Sequence, residues 1–130
     1  MTIPRSSHTV ATIGERVYIV GGYTNGGAAT NECEMFDALT LKVSKLADSA
    51  YATTNSCLTA INGRSLVRIG GQLPDQTNCH NIEVYDCERN SWSTIDPNVD
   101  DVQGEFSLLS NSGSIQLNEH QIFVFGGYNE

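Results

Sequence analysis

The sequence predicts an all-β chain made of one repeated unit, each unit comprising four short antiparallel strands. Two observations carry this. First, an apolar run that closes on a double glycine occurs three times: "VYIVGG" ending at Gly22, "LVRIGG" at Gly71 and "IFVFGG" at Gly127. These glycines lie 49 and 56 positions apart, spacings in the range of structural repeats. Second, the landmarks beyond the glycines recur in step. Phe36 and Tyr85 each stand 14 residues after their glycines, each followed by an aspartate, Asp37 and Asp86. Val43 and Trp92 follow seven residues later, and Glu34 matches Glu83, Met35 matches Val84 and Cys33 matches Ile82.

The second unit displays the elements most fully. "NSCLTAI" reads as its first strand, and "NGR" as a hairpin turn. "SLVRI" is the second strand, stopped by Gly70 and Gly71, and "QLPDQTNCH" is a loop. "NIEVYD" alternates apolar and polar residues as a half-buried third strand. "CERN" turns, and "SWSTI" is the fourth strand. Strands are therefore expected near 17–20, 32–36, 66–69, 82–85 and 122–125. "ALTLKVSKLA" could pass for an amphipathic helix, but the repeat assigns it to the third-to-fourth strand region, and strand is preferred. By a constant offset, Thr54 and Cys57 are expected to match Arg5 and His8 of the first unit. Arg68 replaces the apolar Ile19 and Val124 of the other units; a buried guanidinium needs a counter-charge, and Glu83 on the neighbouring strand is the expected partner.

A glycine-rich turn such as "GGYTNGG" could also be read as a phosphate cradle. That reading needs a helix N-terminus behind it, or a Gly-Lys-Ser/Thr ending. The segment has no lysine and no helical pattern after it. The glycines are better explained by a sharp backbone turn and close packing that a Cβ would obstruct.

The pattern resembles the kelch repeat. The resemblance rests on the double glycines Gly21-Gly22, Gly70-Gly71 and Gly126-Gly127, on the aromatic-Asp pairs at Phe36 and Tyr85, on Trp92, and on "PRSSH" at the head of the first unit. It covers nearly the whole chain; the first unit departs from it by carrying Val43 where tryptophan is usual. The resemblance implies a β-propeller with one four-stranded blade per repeat. About two and a half blades are expected: blade one near 4–47, blade two near 51–96, and the first half of blade three near 106–130. A propeller closes with typically four to eight blades, so the chain reads as part of a longer one that supplies the remaining blades.

The bulk properties narrow the function. The 130 residues carry a formal net charge of −8, which argues against nucleic acid and against an anionic membrane surface. No apolar run reaches the length of a membrane span, and no signal-peptide pattern opens the chain. Cys33, Cys57, Cys79 and Cys87 form no CxxC pair and read as reduced thiols, so a cytoplasmic protein, free or cytoskeleton-associated, is expected. No catalytic, cofactor or metal residues are assigned. Cys79 and His80 with Cys87 make a weak metal pattern lacking a fourth ligand. One enzyme class shares the kelch resemblance, the galactose-oxidase-like copper enzymes, but no matching ligand set can be placed here.

Binding is the expected function: a non-catalytic protein–protein interaction module, either a scaffold or the substrate-recognition part of a BTB-kelch ubiquitin-ligase adaptor. The kelch resemblance places partners on loops joining the second to the third strand, Tyr23–Thr30 and Gln72–His80, and on loops leading to the next blade, Ala47–Tyr51 and Asp96–Glu105. Arg5, Tyr23, Gln72 and Tyr128 are expected near one face. The acidic cluster Asp96, Asp100, Asp101 and Glu105 points to a basic protein segment as partner.

Overall fold

A computed structural model of the protein describes residues 1–95 and 109–128. In chain order its strands are β1 (Arg5–Ser6), β2 (Thr9–Ile13), β3 (Arg16–Val20), β4 (Tyr23–Thr24), β5 (Cys33–Asp37), β6 (Lys42–Lys45), β7 (Cys57–Ile61), β8 (Ser65–Ile69), β9 (Ile82–Asp86), β10 (Ser91–Ile95), β11 (Ser110–Asn118) and β12 (Gln121–Tyr128). The first blade is the antiparallel sheet β2-β3-β5-β6, and the second is β7-β8-β9-β10. β11 and β12 form the inner hairpin of a third, and β1 pairs with β4 in a short ribbon. Every strand expected from the repeat is present, and Lys42–Lys45 is strand.

The aromatic-Asp signature is turn chemistry. The Asp37 carboxylate accepts the N–H groups of Leu39 and Thr40 at 2.9 and 3.1 Å. Asp86 does the same for Glu88 and Arg89 at 2.9 and 3.0 Å. These donors hold both carboxyls below their ordinary pKa. Each turn then closes through a left-handed residue, Leu41 or Asn90.

Two apolar seams bind the blades. Tyr18, Val20 and Cys33 of the first blade pack on Leu58, Leu66 and Tyr85 of the second. On the second blade's other face Cys57, Val67 and Ile69 meet Ile122 of the third. The Tyr85 ring lies 6.2 Å from Tyr18 and 5.0 Å from Trp92, within the range of favourable aromatic pairs. Trp92 also donates its indole N–H to the Ala47 carbonyl at 3.0 Å, fixing the chain that enters the second blade. In the first blade, Phe36 faces Val17 on one side and Val43, in the place of Trp92, on the other.

Backbone bonds cross from blade to blade in step. The Asn55 N–H donates to the Ser7 carbonyl at 3.0 Å, and the Asn111 N–H to the Asn55 carbonyl at 2.8 Å. All three residues have φ between 53° and 56°. The double glycines take part as well. Gly22 N–H donates to Thr53 O at 2.9 Å and Gly71 N–H to Leu109 O at 3.3 Å. A Cβ on Gly21 would sit 2.5 Å from Thr53 O, and one on Gly70 2.2 Å from Leu109 O. The expected reason for these glycines, close packing that excludes a side chain, is thus met at the blade junctions.

One expectation needs correction. The residues matching Arg5 and His8 are Thr53 and Ser56, not Thr54 and Cys57. The glycine pair shows it: a Cβ on Gly22 would press on Ser6 O and His8, and one on Gly71 on Thr54 O and Ser56. The first hairpin turns through Gly14 and Glu15 between Ile13 and Arg16, whereas the second uses Asn62, Gly63 and Arg64 between Ile61 and Ser65. That extra turn residue shifts everything upstream of it by one.

Candidate partner-binding face

The two loops joining second to third strands share one backbone path. In the first, Thr24 N–H donates to Ala28 O, Gly27 N–H to Thr24 O, and Thr30 N–H to Gly22 O. In the second, Leu73 N–H donates to Thr77 O, Gln76 N–H to Leu73 O, and Cys79 N–H to Gly71 O. Gly27 and Gln76 occupy the same left-handed position, with φ 74° and 69°. Glycine takes that conformation freely; Gln76 is held in it by the surrounding bonds.

The tips of these loops differ although their frames agree. Asn25, Gly26, Gly27 and Ala28 are exposed on the first, and Pro74, Asp75, Gln76 and Thr77 on the second. Asp75 accepts both the N–H and the hydroxyl of Thr77, which holds its carboxyl below its ordinary pKa. Tyr23, Gln72 and Tyr128 occupy equivalent places after each glycine pair. Tyr23 is half-buried and pairs with Ser6, Gln72 is buried and bridges to Thr54, and Tyr128 is exposed and pairs with Ser110. The three therefore mark the same end of successive blades.

Arg5 has a different place from the one expected of a contact residue. Its guanidinium is fully buried and meets the Glu34 carboxylate at 3.2 Å. It also donates to the carbonyls of Gly21 and Glu32 at 3.1 and 2.8 Å. Arg5 shapes this end of the blade from within. The Ala47–Tyr51 connector is committed in a similar way. Ala47 N–H donates to Asn90, Ala50 N–H to Glu83, and Tyr51 O accepts from Arg68, while Ser49 is buried and its N–H donates to Asn31 O. Asp96, Asp100, Asp101 and Glu105 lie outside the described residues.

The buried charges repeat a single arrangement by two routes. Glu34 accepts the Thr2 N–H at 2.9 Å and the Thr2 hydroxyl, and pairs with Arg5. Glu83 accepts the Ala50 N–H at 2.7 Å and pairs with Arg68, its direct neighbour across the sheet. Arg68 in turn donates to Thr53, the counterpart of Arg5. The guanidinium has moved from the blade's head to its second strand while serving the same carboxylate. Burial pulls Arg68 down to about 10, which leaves it cationic at neutral pH.

The possible metal residues are not brought together. Cys79 is buried ahead of β9, His80 is exposed, and Cys87 lies beyond the strand's far end. Among the described residues no three His, Cys, Asp or Glu side chains gather as a metal site. The four thiols are free, and burial pushes Cys33 up to about 11. The sequence reading missed the left-handed series Ser7, Asn55 and Asn111. Its signal was available, since each residue precedes its second glycine by 15 or 16 positions.

The family follows from comparison with this geometry in hand. A family model described as the Attractin/LZTR1 beta-propeller matches residues 1–130. The chain belongs to that family. The Attractin/LZTR1 match agrees with the kelch signature and with the four-stranded blades. Propellers of the Attractin/LZTR1 kind are generally non-catalytic, and such domains generally mediate protein interactions.

Proposed function

We propose that the chain is a non-catalytic, cytoplasmic interaction scaffold whose partner approaches the loops 23–30 and 72–80 together with the acidic stretch 96–105. The observation that carries this reading is the identity of frame and difference of tip in the two described loops. A rigid scaffold that holds divergent exposed segments side by side is the usual setting for recognition. The net charge of −8 and the exposed Asp75 carboxylate favour a lysine- or arginine-rich protein segment over an acidic one. Exposed carboxylates act mainly on the encounter rate.

Stopped-flow association of the chain with a fluorescent basic peptide tests this. Asp100→Asn with Asp101→Asn, and separately Asp75→Asn, slow association, and added salt slows the unaltered chain in the same way. An association rate indifferent to both the substitutions and the salt overturns the reading.

A further inference from the structure

The dipeptide Asn-Gly occurs at Asn25-Gly26 and again at Asn62-Gly63. Both pairs are exposed and lie in turns, and both follow a β-branched residue, Thr24 or Ile61. Local sequence therefore treats them alike, but the fold does not. The Asn62 side-chain oxygen accepts the Gln116 amide at 2.8 Å, and the Asn62 N–H donates to the Gln116 side-chain oxygen at 3.1 Å. Asn62 is thus tied from the second blade to β11 of the third, with its φ at 51°. Among the described residues the Asn25 side chain and the Gly26 N–H make no hydrogen bond. Space around Gly26 is open as well: a Cβ there would meet nothing within 4 Å.

We propose that Asn25-Gly26 is a site of spontaneous covalent modification, in which Asn25 deamidates to aspartate or isoaspartate, and that the Gln116 clamp protects Asn62 from the same fate. The Gly26 nitrogen gives up its proton to solvent and attacks the Asn25 side-chain carbonyl carbon. A carbon–nitrogen bond forms there, the bond to the amide nitrogen breaks, and that nitrogen leaves as ammonia with a proton from solvent. Water then adds across either carbonyl of the resulting succinimide and opens the ring. Attack through one carbonyl leaves aspartate; attack through the other leaves isoaspartate, with the main chain lengthened by one carbon. Water is the sole co-reactant, and nothing is oxidised or reduced. Glycine permits the step because it has no Cβ to crowd the attacking nitrogen. At Asn62 the carbonyl carbon can swing toward Gly63 only by giving up its bond to Gln116.

The product puts a new negative charge on the tip of the first loop. Gly27 matches Gln76, so Asn25 stands one place before the counterpart of Asp75 on the second loop. What that charge does to a partner rests on the loop reading above. Whether it forms does not, and the experiment reads only its formation.

The 130-residue chain is incubated at mildly alkaline pH, and peptide mapping by mass spectrometry follows each asparagine. Isoaspartate is counted separately by enzymatic carboxyl methylation with labelled S-adenosylmethionine. Conversion at Asn25 is expected to be at least about tenfold faster than at Asn62, because the reactive geometry at Asn62 first costs its bonds to Gln116. In guanidinium the two rates should converge. Gly26→Ala should suppress conversion at Asn25, and the φ of Gly26 lies outside the left-handed region, so the alanine fits the loop. Gln116→Ala should speed conversion at Asn62 and leave Asn25 as it was. Circular dichroism checks both folds, and the two variants act on separate blades in opposite directions. Equal conversion of the two asparagines in buffer, an unmodified Asn25, or the same ratio of rates in guanidinium as in buffer overturns the proposal. So does parental conversion at Asn25 in Gly26→Ala, or an unchanged Asn62 in Gln116→Ala.

Discussion

Arg68 on β8 and Glu83 on β9 face each other across the second blade as a buried ion pair, whereas the matching Glu34 is met from Arg5 at the head of its blade. One carboxylate thus has two alternative sources of positive charge, and each blade uses one. The choice is local to the blade, and so are its consequences.

Removing one member of the second pair should be costly. Glu83→Ala leaves Arg68 buried without a counter-charge and deprives the Ala50 N–H of its acceptor. We expect a loss of about 3–5 kcal/mol in urea unfolding. The double change Arg68→Met with Glu83→Leu should recover most of this, because no charge is left stranded. Equal loss in the single and double variants would contradict the account.

The glycine pairs give a graded prediction. Gly70→Ala and Gly21→Ala place a Cβ against a backbone carbonyl of the next blade, while a Cβ at Gly126 meets nothing within 4 Å. All three positions have positive φ, from 65° to 70°, so each alanine carries the same conformational cost of about 1 kcal/mol. Thermal unfolding should therefore separate Gly70→Ala and Gly21→Ala, both severe, from the mild Gly126→Ala.

Asn90 joins two blades through one side chain. Its carbonyl oxygen accepts the Tyr85 hydroxyl at 2.7 Å and the Ala47 N–H at 2.9 Å, and its φ is 48°. Asn90→Gly keeps the backbone free to adopt that φ and removes both bonds, for an expected loss of about 1–3 kcal/mol. Asn90→Ala should lose about 1 kcal/mol more from the left-handed strain. Denaturant midpoints for the two variants give the comparison.

Acid should weaken the first blade through Glu34. Burial works to raise its pKa, but the Thr2 hydroxyl and N–H and the Arg5 charge outweigh it, leaving the value below the ordinary one. A carboxyl with a lowered folded-state pKa contributes stability that is present above its unfolded pKa and is lost as pH falls through the folded one. Glu34→Gln cannot titrate, so its stability should fall less steeply than the parent's across the acid range. Parallel stability–pH curves for the two proteins would refute the assignment.

The blades were legible in the sequence because their marks are fixed by backbone needs. Close approach demands glycine at 70, and a tight turn demands aspartate at 86; both residues appear wherever the same need recurs. The Arg68–Glu83 pair was legible for a similar reason: a lone cation in an apolar strand must be answered by its neighbour. What escaped was whatever depends on how far one segment is displaced against another. The single extra residue at Asn62–Arg64 moves Thr53 into the place expected for Thr54. No constant offset can register a change in hairpin length. Arg5 was assigned to the partner-binding face for the same reason. Its type suits a surface contact, and only the three-dimensional path of the first five residues carries it inward to Glu34.

The left-handed residues Ser7, Asn55 and Asn111 hand one hydrogen bond from each unit to the next. Asn55 gives through its N–H to Ser7 and takes at its carbonyl from Asn111, so both joins use the same pair of backbone groups and have a single grammar whatever the side chains spell. Cutting out or duplicating one whole unit leaves the flanking partners able to reconnect. Cutting within a unit strands a donor on one side and an acceptor on the other. Inheritance should therefore lengthen or shorten this protein by whole words and seldom by syllables, and libraries meant to re-size it should cross over at these three positions.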